Sequence, residues 1–203
     1  MDNCNLFGGI YYVNLDKRTD RKAEVEAEFE KIGMTAKRFQ AIEKNPGIIG
    51  CGYSHLTIIK EAKSLGLKNV LIFEDDFEFL VDKETFWNLI NSFFSSNEPY
   101  DVLMLSHGST EAKPYNDIIQ KIYSAQTTSG YIVNECFYDR LIKVWEENIV
   151  LLEKTMRHWD YSLDQCWKKL QGDNSNWYSF NVRIGKQRAS YSDLGLGWMD
   201  YGV

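Results

Sequence analysis

Proline is scarce in this chain, three residues in 203, and no internal repeat or low-complexity segment breaks it up, so it reads as one continuous globular unit. Cationic charge is also short. The 23 Lys and Arg against 29 Asp and Glu leave a net charge of −6, which argues against a nucleic-acid partner. A small anionic ligand stays compatible, provided that a metal or a local basic group neutralises it. No two cysteines form a CxxC pair: Cys4, Cys51, Cys136 and Cys166 are scattered, so neither a zinc site nor a disulfide framework is indicated. No apolar run approaches the length of a membrane span. The opening MDNCNLFGG has neither a basic n-region nor an apolar h-region, and there is no N-x-S/T sequon. These absences predict a soluble, cytoplasmic protein with reduced thiols and no membrane span.

Aromatic residues, by contrast, are abundant: 12 Tyr, 11 Phe and six Trp. They fill cores, and they also suit stacking on bases and sugar faces. Strand-like and helix-like segments alternate. GIYYVNL (9–15) reads as a buried strand, followed by a helix capped by Thr19, striped by Val25, Phe29 and Ile32, and ended by Gly33. A short strand near Lys37–Ile42 precedes a helix from Ser54 to Gly66. VLIF (70–73), VLML (102–105) and GYIV (130–133) read as further strands. Helices are expected after Asp82, over about Glu135–Leu152, and from Asp160 or Tyr161 to Gln171. The alternation predicts an α/β sandwich around a central, mainly parallel sheet, with ligands at the carboxyl ends of strands. Residues 1–203 are expected to form a single domain, with 172–203 as a C-terminal loop segment closing over the site.

Polar clusters sit where such a sheet would place a ligand. VLIF runs into Glu74, Asp75 and Asp76. This is either a solvated acidic turn or a half-site for Mg²⁺ or Mn²⁺ whose other positions are left for water and a diphosphate. Strand alternation would put Glu74 and Asp76 on one side and Asp75 on the other. The first strand ends in NLDKRTDR, where Asn14 and Asp16 can hydrogen-bond a base or ribose and Arg18 and Arg21 can meet phosphate, unless the segment is only a helix start. In GCGYSH (50–55), glycines would let backbone approach a ligand, with Ser54 at free helix amides or simply as an N-cap; His55 has no evident partner. Asp160 in HWDYSLD is either a helix cap or a general base, and Asp164, one turn on, reads as surface or packing. Gln187, Ser190, Ser192 and Asp193 lie in a late segment that is either a solvated tail or a flap over the ligand.

Taken in order, YYVNLDKRTDR, FQAIE, GCGYSHLTIIKEA, VLIFEDDFEF, TTSGYIV, WDYSLD and SYSDL resemble the glycosyltransferase 25 family over about residues 9–194. That family holds lipooligosaccharide-type sugar transferases and procollagen galactosyltransferases. The resemblance implies a GT-A type, Rossmann-like sandwich that takes a UDP-sugar donor with Mn²⁺ (or Mg²⁺) and a glycan or collagen-like acceptor. It implies nucleotide contacts at Asn14, Leu15, Asp16, Arg21, Ala41 and Ile42, with Ser54, Gln187 and Ser192 as further donor contacts. Glu74 and Asp75 would belong to the DxD-like metal and ribose motif, with Asp76 the direct metal ligand, Asp193 a second one, and Asp160 the base of an inverting transfer. The first motif acid departs from the pattern as Glu, and the chain has little room for a large acceptor domain. A nucleotidyltransferase would normally carry a basic Gly-rich loop where NLDKR stands, and a carbohydrate-binding module would usually be all-β.

Overall fold

A computed structural model describes residues 3–192, 197–200 and 202. The strands are β1 (Gly9–Asn14), β2 (Lys37–Gln40), β3 (Asn69–Glu74), β4 (Phe77–Phe79), β5 (Val102–Met104), β6 (Gly108–Pro114), β7 (Ile119–Gln126), β8 (Gly130–Asn134), β9 (Trp177–Phe180), β10 (Gly185–Gln187), β11 (Ser190–Ser192) and β12 (Gly197–Met199). The helices are α1 (Thr19–Ile32), α2 (Gly47–Ser64), α3 (Lys83–Ser95), α4 (Tyr138–Thr155), and two single turns, α5 (His158–Tyr161) and α6 (Leu163–Cys166).

Eight strands form one sheet in the order β2-β1-β3-β8-β5-β9-β7-β6. Six of them run one way, with β8 and β7 reversed, as the pairings require. The sheet is therefore mostly parallel by direction, as expected. It is buried on both faces, which is why its central strands read as continuous apolar runs. Tyr11, Val70, Ile72 and Val133 pack with Leu56 and Ile59 of α2 and Trp145 of α4. Tyr12, Leu71, Phe73 and Ile132 point the other way, onto Val25 and Phe29 of α1 and Phe86 and Ile90 of α3. Each fully buried aliphatic side chain contributes about 1.5–3 kcal/mol, so VLIF alone stitches both layers to the sheet.

Several boundaries differ from expectation. Arg18, without a side-chain cap, precedes α1, and Thr19 is its first residue; Gly33 ends it at φ 69°. Helix α2 starts at Gly47, seven residues before Ser54, so GCGYSH is helix interior and not a loop. A Cβ on Gly50 would stand 2.1 Å from Ile42 O, so glycine lets this helix press against the chain at Ile42. The helix expected up to Gln171 is instead broken by an extended Ser162 (φ −62°, ψ 157°) into α5, α6 and a 3-10 turn, Trp167–Leu170. The stretch after Gly172, expected to be irregular, contributes β9 to the sheet.

Candidate functional site

Strands β1 and β3 end side by side, Val13 opposite Glu74, and β2 extends this edge, Asn14 opposite Gln40. Because β8 is reversed, its entry reaches the same edge, and Glu74 N–H donates to Ser129 O at 2.9 Å. The turn after Glu74 is anchored by Phe77, fully buried 4.7 Å from the ring of Phe73. A Cβ on Gly130 would come within 2.4 Å of the Phe77 ring, so the glycine of TTSGYIV makes room for that anchor.

The three acids divide between the two faces. Glu74 turns to the α2 side, where Thr128 Oγ1 donates to its Oε1 at 2.5 Å and His55 Nε2 lies 3.5 Å away. Asp75 and Asp76 are buried on the α1 side, where Arg21 Nη1 donates to Asp75 Oδ1 at 2.8 Å and to Asp76 Oδ2 at 3.2 Å. The expected pairing of Glu74 with Asp76 on one side is thus corrected. Strand β3 ends at Glu74, and a turn does not keep the two-residue period.

Asp76 is the least satisfied of the three. Gln187 Nε2 donates to its Oδ2 at 3.1 Å, and Oδ1 is buried with no hydrogen-bond partner among the described residues. Burial, then the charges of Glu74 and Asp75, push its carboxyl up to about 7 against the opposing pull of Arg21. Burial also raises Asp75, only partly offset by Arg21 and Asn14. Burial would raise Glu74 too, but the nearby His55, the Thr128 hydrogen bond and the Arg21 charge outweigh it and hold its carboxyl below the ordinary value. A buried carboxylate oxygen without a donor is a place where a divalent cation fits.

Around the end of β1, Asn14 is buried and donates to Asp75 Oδ2 at 2.7 Å. Arg38 donates to Asn14 Oδ1 at 2.9 Å and to Asp16 Oδ1 at 2.7 Å, and Gln40 holds Asp16 Oδ2 at 2.6 Å. Asp16 is nonetheless exposed. Sequence reasoning missed Arg38 and Gln40. Their i,i+2 spacing on an edge strand, which puts both on one face, was the available signal. An open cleft of about 410 Å³ lies here, lined by Leu15, Asp16, Lys17, Gln40, Ala41, Ile42 and Glu43. Ser54 does not face it: wholly buried, its hydroxyl donates to Gly50 O at 2.7 Å and accepts from Ile42 N at 2.8 Å. It pins the cleft wall to α2.

The C-terminal segment reaches the acids. Arg188 N–H donates to Asp76 O at 2.6 Å, and Arg21 Nη2 donates to Ser190 Oγ at 2.6 Å and Tyr191 O at 3.0 Å. Ser192 is described by its backbone alone, and Asp193 lies outside the described residues. Asp160, in α5, forms an ion pair at 2.6 Å with Arg157, the residue before that turn, although its buried Oδ2 has no well-directed hydrogen bond among the described residues. Asp164, by contrast, has contacts at the edge. Thr127 N–H lies 3.4 Å from its Oδ2, and its charge acts on Cys51 together with those of Glu74, Asp76 and Asp75.

No family model matches the chain. A Drosophila pseudoobscura pseudoobscura protein named "Glycosyltransferase 25 family member" is 31% identical over 98 residues, covering 34% of this chain. The chain resembles the glycosyltransferase 25 family. It spans only 16% of that relative's length. In three dimensions the chain is similar to the crystal structure of a glycosyltransferase involved in glycosylating the major capsid of PBCV-1. The TM-score is 0.52 at 11% identity, covering 93% of this chain and 95% of that one, a likeness of fold. A looser one, TM-score 0.43 at 11% identity over 91% of this chain and 70% of the other, is to an inositol-1-phosphate CTP transferase from T. maritima and carries no argument. The architecture is thus the expected GT-A-like α/β sandwich. Among the described residues no helix is long and apolar enough to cross a membrane.

Proposed function

We propose that this chain is a metal-dependent glycosyltransferase that moves a hexose from a UDP-sugar to a hydroxyl of a glycan or of hydroxylysine in a collagen-like protein. One observation carries this reading: the cleft at Leu15, Asp16, Ala41 and Ile42 opens at the strand edge that also bears the partly unsatisfied carboxylate of Asp76. A flat base with its ribose suits the cleft, where Asp16 can accept from a ribose hydroxyl. Arg21, already at Asp75 and Asp76, is the basic group placed to meet a diphosphate. Asp76 would hold Mn²⁺ or Mg²⁺, with Asp193 proposed to add a ligand; such a cation supplies positive charge against the diphosphate. Residues 172–203 would close the site through Gln187, Arg188 and Ser190.

In the transfer, the acceptor oxygen bonds to the anomeric carbon as that carbon's bond to the diphosphate oxygen breaks, through an oxocarbenium-like state. The acceptor proton goes to a carboxylate of HWDYSLD. Asp160 and Asp164 are both proposed, and Asp164 ranks first because its contacts lie at the strand edge.

Turnover of a UDP-sugar panel with and without Mn²⁺ tests the proposal. UDP release that needs both the cation and an acceptor is the expected result. Pyrophosphate release from a nucleoside triphosphate and a sugar phosphate, with nucleotide sugars untouched, would make the chain a nucleotidyltransferase instead.

A further inference from the structure

Cys51 and His55 are spaced i,i+4 on α2 and therefore share a face, and that helix packs against the sheet next to the end of β3. One donor atom each from Cys51, His55 and Glu74 lies within 4.8 Å of the others. The imidazole is fully buried, stacked on Tyr131 with ring centroids 5.8 Å apart and edge-on to Trp145 at 6.4 Å, so it cannot turn to solvent.

Its two nitrogens are treated unequally. Nδ1 lies 2.7 Å from the Tyr131 hydroxyl, whereas Nε2 is buried with no hydrogen-bond partner among the described residues, 3.5 Å from Glu74 Oε1. Two tautomers fit the Tyr131 contact. If the hydroxyl donates, Nε2 carries a hydrogen that faces Glu74 Oε1 at 3.5 Å, too long for a good hydrogen bond in a core. If Nδ1–H donates instead, Nε2 presents a bare lone pair towards the thiol and the carboxylate. That is how a metal-binding histidine is oriented, by a hydrogen bond at its other nitrogen.

We propose that Cys51 Sγ, His55 Nε2 and Glu74 Oε1 bind a zinc-class divalent cation, with Tyr131 as the positioning residue behind His55. Ligands about 2.0–2.3 Å from a tetrahedral ion sit roughly 3.3–3.8 Å apart, so the three donors need only a small inward movement. Three protein ligands leave a fourth position open to water or an anion. Sulfur and nitrogen donors select a softer metal than the all-oxygen surroundings of Asp76, which separates this site from the one proposed for the donor cation.

Cobalt(II) is the probe. Addition of Co²⁺ to the full chain should give a thiolate-to-cobalt charge-transfer band at one equivalent, displaced by Zn²⁺. Cys51→Ser, nearly isosteric, should lose the band while its circular dichroism melt stays cooperative. Tyr131→Phe should weaken zinc binding about 10-fold, and Asp76→Asn should keep the band. Without any substitution, zinc should protect Cys51 from alkylation, read by peptide mass. No thiolate band in the parent protein, an equal band in Cys51→Ser, loss of the band in Asp76→Asn, or equal alkylation of Cys51 with and without zinc would each overturn the assignment.

Discussion

Glu74 and Asp76 stand two residues apart, yet one faces the α2 layer with its carboxyl held low and the other faces the α1 layer with its carboxyl pushed up to about 7. Glu74 meets Thr128 and His55. Asp76 shares Arg21 with Asp75 and keeps one oxygen unsatisfied. A buried carboxylate is costly unless charge and hydrogen bonds answer it. The comparison therefore separates an acid met by Thr128 and His55 on the α2 side from one that keeps an unsatisfied oxygen on the α1 side.

The strongest way to probe the division is chemical. Asp164 stands at the edge, while Asp160 is paired away with Arg157. Asp164→Asn is expected to lose about 10²–10⁴-fold in kcat with UDP binding near normal, while Asp160→Asn stays close to the parent. The reverse outcome, read in the same steady-state assay, returns the role to Asp160. Product NMR should show an inverted anomer.

Stability against pH comes next, because the two acids should respond with opposite signs. Asp76 is raised, so its contribution is fully present below the ordinary value of 3.8 and is lost as pH rises through about 7. Asp76→Asn should therefore stabilise the metal-free protein at pH 8 by up to about 4 kcal/mol, fading below pH 4. Glu74 is lowered, so its contribution is present above the ordinary 4.5 and is lost as pH falls through its folded value. Glu74→Gln should lower the melting temperature at pH 8 by roughly 3–6 °C. Melts across pH check both, and equal signs would erase the contrast.

In ligand binding the same contrast should reappear in calorimetry. Asp76→Ala is expected to remove the Mn²⁺-dependent part of UDP affinity, a drop of about 10–100-fold, with unchanged affinity as the contrary result. Asp16→Asn, at the exposed cleft wall, should have the smallest effect, about 10-fold in donor affinity and none on the melt.

Much of the framework was legible in the chain. GIYYV and VLIF are buried on both faces and so read as strands, and Asp82 caps α3 by accepting from Thr85 N at 2.8 Å, as its position implied. The hairpin of β6 and β7 was not legible. GSTEAKP is mostly exposed and lacks a clean apolar alternation, so only its neighbours in the sheet make it a strand. The WYSF of β9 is too short for periodicity to separate from a loop.

At the site, local sequence determined which residue types arrive at the ends of β1 and β3, because a strand's length and direction fix where its last polar residues emerge. Tertiary structure alone decided how those residues divide. Period two stops where the strand stops, so Asp75 and Asp76 turned together to Arg21, and Glu74 turned away. The start of α2 depended on a packing contact, Gly50 against Ile42 O, that no cap residue announces. His55 had no visible partner because Glu74 and Tyr131 are 19 and 76 residues further along the chain and meet it only when β3 and β8 pair. Spacing in sequence can report a site held by one helix or one turn, but a site assembled from a helix and two strands exists only once the sheet has formed.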